Sequence, residues 1–474
     1  MPNEPKPSSI ARRTFLRQAA CASIGFSGLY SAMSNLRLMG ATLSAQGLPA
    51  GDDYKSLVCL FFYGGNDGNN TVVPYDTEHY NAYASARGIL GLPRHSLLPL
   101  TPLSSGGDGR EFAFHPSLTR MQSMFDAGKA AVLTNVGTLV APITKADYQS
   151  GGAAIPPYLF SHNDQQVQWQ TSVPDSPKKI GWGGRMADVM AAYNASSNIA
   201  MNISIAGNNF FQVGNEAFQY HVTPSGSLGL SQYDATWSPV REQYQALNGV
   251  LGLDHDHLFE AEYARIMQRG IANDGLLKST LASVPEYTEY FPSHDPEEGV
   301  TRLQGQLRMI LRLIAAREQL GMRRQIFFCS MGGFDTHDAQ LTDHASLLSE
   351  FSEAVGDFHT ATEDLGCAND VTLFTSSDFN RTYSSNGKGS DHAWGSHQFV
   401  VGGAVQGGQL YGQMPVTILG GPDDTNSRGA WIPTTSVDEY SATLARWFGV
   451  TESEMSRVLP NIGRFANPDL GFLG

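Results

Sequence analysis

A chain of 474 residues, 41% of them hydrophobic, is long enough to bury a large core, as one big α/β domain or two ordinary ones. Its formal net charge is −14, and no run of Lys/Arg or basic stripe follows the first forty residues, which argues against nucleic acid as a partner. No segment beyond the N-terminal leader reaches the roughly 20 apolar residues that span a bilayer, so no further transmembrane anchor is expected.

The leader comes first. In "SSIARRTFLRQAACASIGFSGLYSAM", Arg12 and Arg13 precede Phe15 and Leu16, and a weakly apolar stretch of small residues follows. A basic patch before a short buried helix is the plainer reading. The Arg-Arg-x-Phe-Leu order favours a twin-arginine export signal over residues 1–46, with cleavage near Ala45. Cys21 comes too early in the apolar stretch to be a lipid attachment site. Such a signal implies a periplasmic or secreted protein and the twin-arginine translocase as a partner. It also raises the expectation of a metal inserted before export. Residues 47–474 read as a single domain, with loop insertions near 208–240 and 274–300. Cys59, Cys329 and Cys367 remain in the mature chain, and an odd count excludes a full disulfide framework. Buried thiols explain them best.

Short continuous apolar runs recur along the chain: "LVCLFF" (57–62), "AAVLTNV" (130–136), "NISIAG" (202–207), "QIFFCS" (325–330), "VTLFTS" (371–376) and "HQFVVGGAV" (397–405). Runs of this kind, without alternation, predict strands of a parallel sheet covered on both faces. Helical periodicity marks residues 256–272, 301–322, 344–366 and 436–450. The alternation of the two patterns predicts an α/β fold with a mostly parallel, doubly wound sheet.

In open sheets of this type the site forms at the carboxyl ends of the strands. Three such ends carry an aspartate: Asp67 in "YGGNDGNNT", Asp335 in "MGGFDTHD" with His337 two residues on, and Asp378 in "SSDFNRT". A fourth segment, "GSDHAWGSHQFVVGG", brings His392 and His397 to the next strand. Asp and His supply oxygen and nitrogen ligands for Zn, Mn or Ca, as one ion or as two. Two ions about 3.5–4 Å apart clamp both oxygens of a displacement at phosphorus or sulfur. Each residue also has a plainer role. Asp67 fits an Asx-type turn, Asp378 a helix cap, and one of the two late histidines a packed core residue. Ser161 stands at a helix start, where the plain reading is an N-cap. Arg381 is a candidate to grip an anionic substrate by paired hydrogen bonds. The glycine-rich "GGNDGNN" and "GGAVQGG" make neither a Rossmann nor a Walker fingerprint.

Taken in order, "FFYGGNDGNNTVVPY", "FHPSL", "SHNDQQVQWQT", "GGFDTHDAQ", "TSSDFNRTYSSNGKGSDHAWGSHQFVVGGAVQGGQLYG" and "IPTTSVDEYSATLARWFGV" resemble a large family of secreted bacterial proteins, the domain of unknown function numbered 1501. The resemblance runs over nearly all of the mature chain. It implies an alkaline phosphatase- and sulfatase-like fold, with a three-layer α/β/α core and a metal-dependent site. Under it, Asp67 resembles the first metal-binding aspartate. Asp335 and His337 resemble an Asp/His metal pair, and His392 or His397 the late histidine. Asp378 matches the aspartate of an Asp-His pair, but Phe379 replaces the histidine, which puts a second metal in question. Ser161 falls where a nucleophile would stand. The resulting expectation is an exported metal-dependent hydrolase or transferase acting on phosphate or sulfate esters of a small molecule or polymer. The alternative is a non-catalytic exported surface or partner-binding protein that keeps the fold.

Overall fold

The computed structural model describes residues 53–102, 109–230, 239–291 and 303–474, together with Tyr233 and Trp237. The expected export signal lies outside the described residues. Six strands build the centre: β1 (Lys55–Phe62), β2 (Ala130–Gly137), β3 (Asn202–Ser204), β4 (Arg324–Met331), β5 (Val371–Ser377) and β6 (Ser396–Gly402). They belong to a ten-stranded mixed sheet in the central order β2-β6-β5-β1-β4-β3. The pairs β1–β5, β1–β4 and β3–β4 are parallel. β6 runs antiparallel to both of its neighbours, β5 and β2.

Burial on both faces explains why these strands read as unbroken apolar runs. Along β1, Val58, Leu60 and Phe62 enter one core cluster, whereas Leu57, Cys59 and Phe61 enter another. The first core is closed by α3 (Leu303–Ala315), through Leu307, Ile310 and Ile314, and by α4 (Gln340–Asp364), through Leu348, Phe351 and Val355. The second is closed by α2 (Trp182–Met190), through Trp182 and Met186, and by α5 (Val437–Phe448), through Tyr440, Leu444 and Phe448. The result is three layers, α/β/α, with a mostly parallel sheet. Ser436 starts α5 in a capping box with Glu439, and Gly366, at φ +70°, ends the run after α4. Cys59, Cys329 and Cys367 are buried and unpaired.

Two long loops expected from sequence are partly regular. Within 208–240, the strand Gln219–Thr223 pairs with β3 and turns back as a short hairpin, which extends the sheet. The helix Leu258–Ala282 runs on through residues 274–282, so the irregular stretch starts at Ser283 rather than at 274. Among the described residues no helix is long and apolar enough to cross a membrane.

Candidate metal centre

Register brings the site together. Phe62, the last residue of β1, pairs with Met331 on one side and Ser377 on the other, so β1, β4 and β5 end level. The chain therefore leaves all three strands at one edge, carrying Gly64, Asp335 and Asp378. Because β6 is antiparallel, its beginning lies at that edge, and His392 arrives just before it. Close packing demands glycine at one point. Gly64 sits at φ +115°, and a Cβ there would fall 2.3 Å from the backbone nitrogen of Asp335.

A fifth segment completes the cluster. α1 (His162–Thr171) begins with His162. Three imidazoles then meet, and each has its Nδ1 anchored. His162 Nδ1 donates to Asp378 Oδ2 at 2.5 Å, and His392 Nδ1 donates to the Phe160 carbonyl at 2.7 Å. His337 Nδ1 lies 3.2 Å from Asp391 Oδ1. These anchors fix the tautomers, so each Nε2 turns its lone pair inward. His392 Nε2 is 3.1 Å from His162 Nε2 and 3.0 Å from His337 Nε2. The Asp335 carboxylate closes the group, with Oδ1 3.0 Å from His337 Nε2 and 3.3 Å from His392 Nε2, and Oδ2 3.5 Å from His162 Nε2. Two triangles thus share the His392–Asp335 edge. His162, Asp335 and His392 each offer one ligand atom within 4.8 Å of the others.

This donor set fits a divalent cation. Two unprotonated nitrogens about 3 Å apart repel unless a proton or a cation lies between them. Tetrahedral zinc, about 2.0–2.2 Å from N and O donors, sets those donors about 3.3–3.6 Å apart, close to the spacing found here. In addition, Asp378 Oδ1 is buried with no hydrogen-bond partner among the described residues.

Electrostatics around the cluster are graded. The hydrogen bond to Asp378 raises the His162 pKa, whereas burial lowers that of His392. Partial burial opposes ionisation of Asp335, yet the hydrogen bond and charge of Arg381, with His337 and His162, hold its carboxyl below the usual range. For Asp391, partial burial is likewise outweighed, by hydrogen bonds from Asn386 and Arg428 and by the charge of Arg428, leaving its pKa at about 2.

Asp335, His337 and His392 are thus in the cluster, and Asp378 stands behind it, holding His162. Asp67 is placed elsewhere. It caps the one-turn helix Gly68–Thr71 through Asn69 N–H, and its buried carboxylate receives Arg87 and Gln340. His397 is also apart. It is buried, its Nδ1 accepts from the Asn135 N–H at 3.1 Å, and burial lowers its pKa to about 4. Arg381 is fully buried rather than presented to a ligand. Its Nη1 donates to Asp335 Oδ1 at 2.6 Å and to the Gly64 carbonyl, and Nη2 donates to the Ser390 carbonyl. It is held against Asp335. Ser161 is the N-cap residue of α1, but its hydroxyl donates to Asp164 Oδ2 at 2.6 Å instead of capping the backbone. Phe379, in the place of the expected histidine, is buried with its ring 4.7 Å from that of His162 and 4.6 Å from that of His392. It fills space next to both imidazoles and offers no ligand atom.

His162 is not among the ligands expected from sequence. Its signal was the pair His162 and Gln166, one turn apart on α1, which both reach Asp378. The Phe160 carbonyl carried no sequence signal.

The family described as "Protein of unknown function (DUF1501)" matches residues 54–419. The chain belongs to DUF1501. No curated protein matches this DUF1501 chain. Among solved structures it is similar to the lipoteichoic acid synthase LtaP from Listeria monocytogenes, at 8% identity and TM-score 0.34 over 86% of this chain and 75% of that one. It is similar to the PsFucS1 sulfatase from Pseudoalteromonas sp., at 11% identity and TM-score 0.34 over 87% and 71%. The phosphonate monoester hydrolase SpPMH from Silicibacter pomeroyi is similar at 8% identity and TM-score 0.33 over 84% and 73%. For the DUF1501 chain the site rests on its own geometry.

Proposed function

We propose that this DUF1501 protein is a metal-dependent hydrolase or transferase of phosphate or sulfate esters, exported by the twin-arginine translocase to the periplasm or beyond. The observation that carries the reading is the meeting of His162, His337 and His392 through their Nε2 atoms beside the Asp335 carboxylate. These four residues would hold the ion, with Zn or Mn best matched to a mixed imidazole and carboxylate set. When bound, the ion supplies a positive centre that offsets charge on the ester oxygens and lowers the pKa of a water.

The chain's own groups do the rest. Asp378, Asp391 and the Phe160 carbonyl keep the imidazoles in the ligating tautomer. Arg381 holds Asp335 in its ionised form. Ser161 precedes His162, and Asp164, 2.6 Å from its hydroxyl, can take that proton as Ser161 Oγ bonds to phosphorus or sulfur. The P–O or S–O bond to the ester alcohol breaks, the alcohol oxygen leaving with the electron pair and taking a proton from Asp164 or water. Water, or an acceptor alcohol, then displaces Ser161 in the same way. Phe379 keeps water from one side of the imidazoles.

A non-catalytic binding role is the second reading. Two observations favour it: Arg381 is committed to Asp335 and carbonyls, and the carboxylate of Asp67 to Arg87. The test is elemental mass spectrometry on the exported protein followed by hydrolysis of an aryl phosphate and an aryl sulfate. About one equivalent of metal and turnover that chelation abolishes are expected. A metal-loaded protein that turns over neither ester hands the site to the second reading.

A further inference from the structure

Alongside α1 a cleft of about 1050 Å³ lies between that helix, the Pro157–Tyr158 turn and the segment from Asn208 to His221. This lies at the upper end of the ~300–1,000 Å³ typical of ligand sites, with room for more than one six-membered ring. Four aromatic rings line it: Tyr63, Tyr158, Phe210 and Phe218. Tyr158 is 74% exposed and Phe218 77% exposed. Tyr158 also holds φ +54°, a left-handed backbone that costs a non-glycine residue about 1 kcal/mol or more. Two large exposed rings, one of them held on a strained backbone, mark a surface built to be covered.

The polar groups among these rings are mostly uncharged. Asn163 and Asn208 are exposed, and no described residue takes their amides. Gln166 gives its Nε2 to Asp378 at 3.0 Å and keeps its Oε1 for another partner. The carboxylates on the wall are already engaged: Asp164 by Ser161, and Asp175 by Asn461 and Arg464. Lys179 is the cation on this wall, 5.3 Å from the centre of the Phe210 ring. A polyanion would find little to pair with. A peptide adding as a strand would find Val222 and Thr223 already paired with the hairpin return, which leaves an edge of three residues, 219–221, among the described residues. Sugar rings match the wall better. Their C–H faces stack on aromatic rings, and adjacent hydroxyls meet amides that carry donor and acceptor in one plane.

We propose that this cleft binds an uncharged stretch of oligosaccharide, running along α1 so that an ester borne by the sugar chain reaches His162, Asp335 and His392. Gln166 is the hinge of the arrangement, since it lines the cleft and touches the carboxylate that holds His162. The ester part rests on the function proposed above. The sugar binding does not.

The test uses the full-length exported protein on a printed array of neutral oligosaccharides covering hexoses, pentoses and N-acetylhexosamines, followed by calorimetry on the best binder. Binding of a neutral glycan of three or more units is expected, weakened about tenfold by Tyr158→Ala and by Phe218→Ala. Both side chains are exposed, so melting temperature and metal content should stay at the wild-type values. Failure to bind any neutral glycan overturns the proposal, as does affinity unchanged in both variants. Capture of peptides instead of sugars overturns it too. Sugar binding without ester turnover would cost the proposed function and leave this inference standing. Ester turnover without sugar binding would do the reverse.

Discussion

Asp378 holds His162 through a 2.5 Å contact between Oδ2 and Nδ1, across 216 residues of sequence. The carboxylate is fully buried and also accepts from Gly64 N–H and from Gln166, so it has little freedom to turn. It would act on a bound metal through the ring that it orients. Removing its charge loosens that ring and lowers the basicity of Nε2. Asp378→Asn should therefore weaken metal binding about 10–100-fold. Competition against a chelator of known affinity measures this, and an unchanged constant would remove Asp378 from the site.

The ligands themselves should show a sharper loss. His392 belongs to both triangles of the cluster, so His392→Ala should take bound metal below about a tenth of an equivalent. Asp335→Ala confounds two effects, because it also strips Arg381 of its carboxylate partner. Asp335→Asn keeps the shape and is the cleaner variant. Elemental analysis beside a melting curve in chelator separates metal loss from unfolding. Full metal retention in both variants would reject the centre.

How much of this was legible follows from what each residue depends on. β1, β4 and β5 were readable because both of their faces are buried, which leaves an apolar run with no alternation. Asp335, His337 and His392 followed from placing polar residues at strand ends. The direction of β6 was not readable, because a doubly buried strand has the same pattern either way. His162 was missed because its partner is remote in sequence and the helix it opens lies between β2 and β3. Asp67 and His397 have the right chemistry for ligands, but neighbours claim them. Arg87, 20 residues on, takes Asp67, and Asn135 donates to His397. Composition cannot reveal such competition for one side chain. Arg381 fails as a predicted substrate clamp for the same reason, being spent on Asp335.

The Asp67–Arg87 pair gives a prediction opposite in kind to those at the cluster. Both side chains are fully buried. Asp67→Ala leaves a buried guanidinium without its counter-charge, which costs about 3–5 kcal/mol. Metal content should be unchanged in whatever fraction stays folded. Denaturant unfolding beside elemental analysis checks both halves. A stable variant that has lost its metal would return Asp67 to the ligand set.

Asp438, in the first turn of α5, gives the chain a pH dependence remote from the histidine cluster. Burial raises its pKa to about 7, against the charge of Arg185. Its Oδ1 has no partner among the described residues. An acid with a raised folded pKa binds its proton more tightly in the native state than in the unfolded chain. Its contribution to stability is then fully present below the unfolded pKa of about 4, and it is lost as pH rises to about 7. Asp438→Asn mimics the protonated form at every pH. It should stabilise the protein by roughly 4 kcal/mol at pH 8 and by close to nothing at pH 4. Taking the variant-minus-wild-type difference by denaturant unfolding at the two pH values cancels the titration of every other group. A difference that does not grow with pH would mean that Asp438 is ionised in the fold at neutral pH, with Arg185 able to offset its burial.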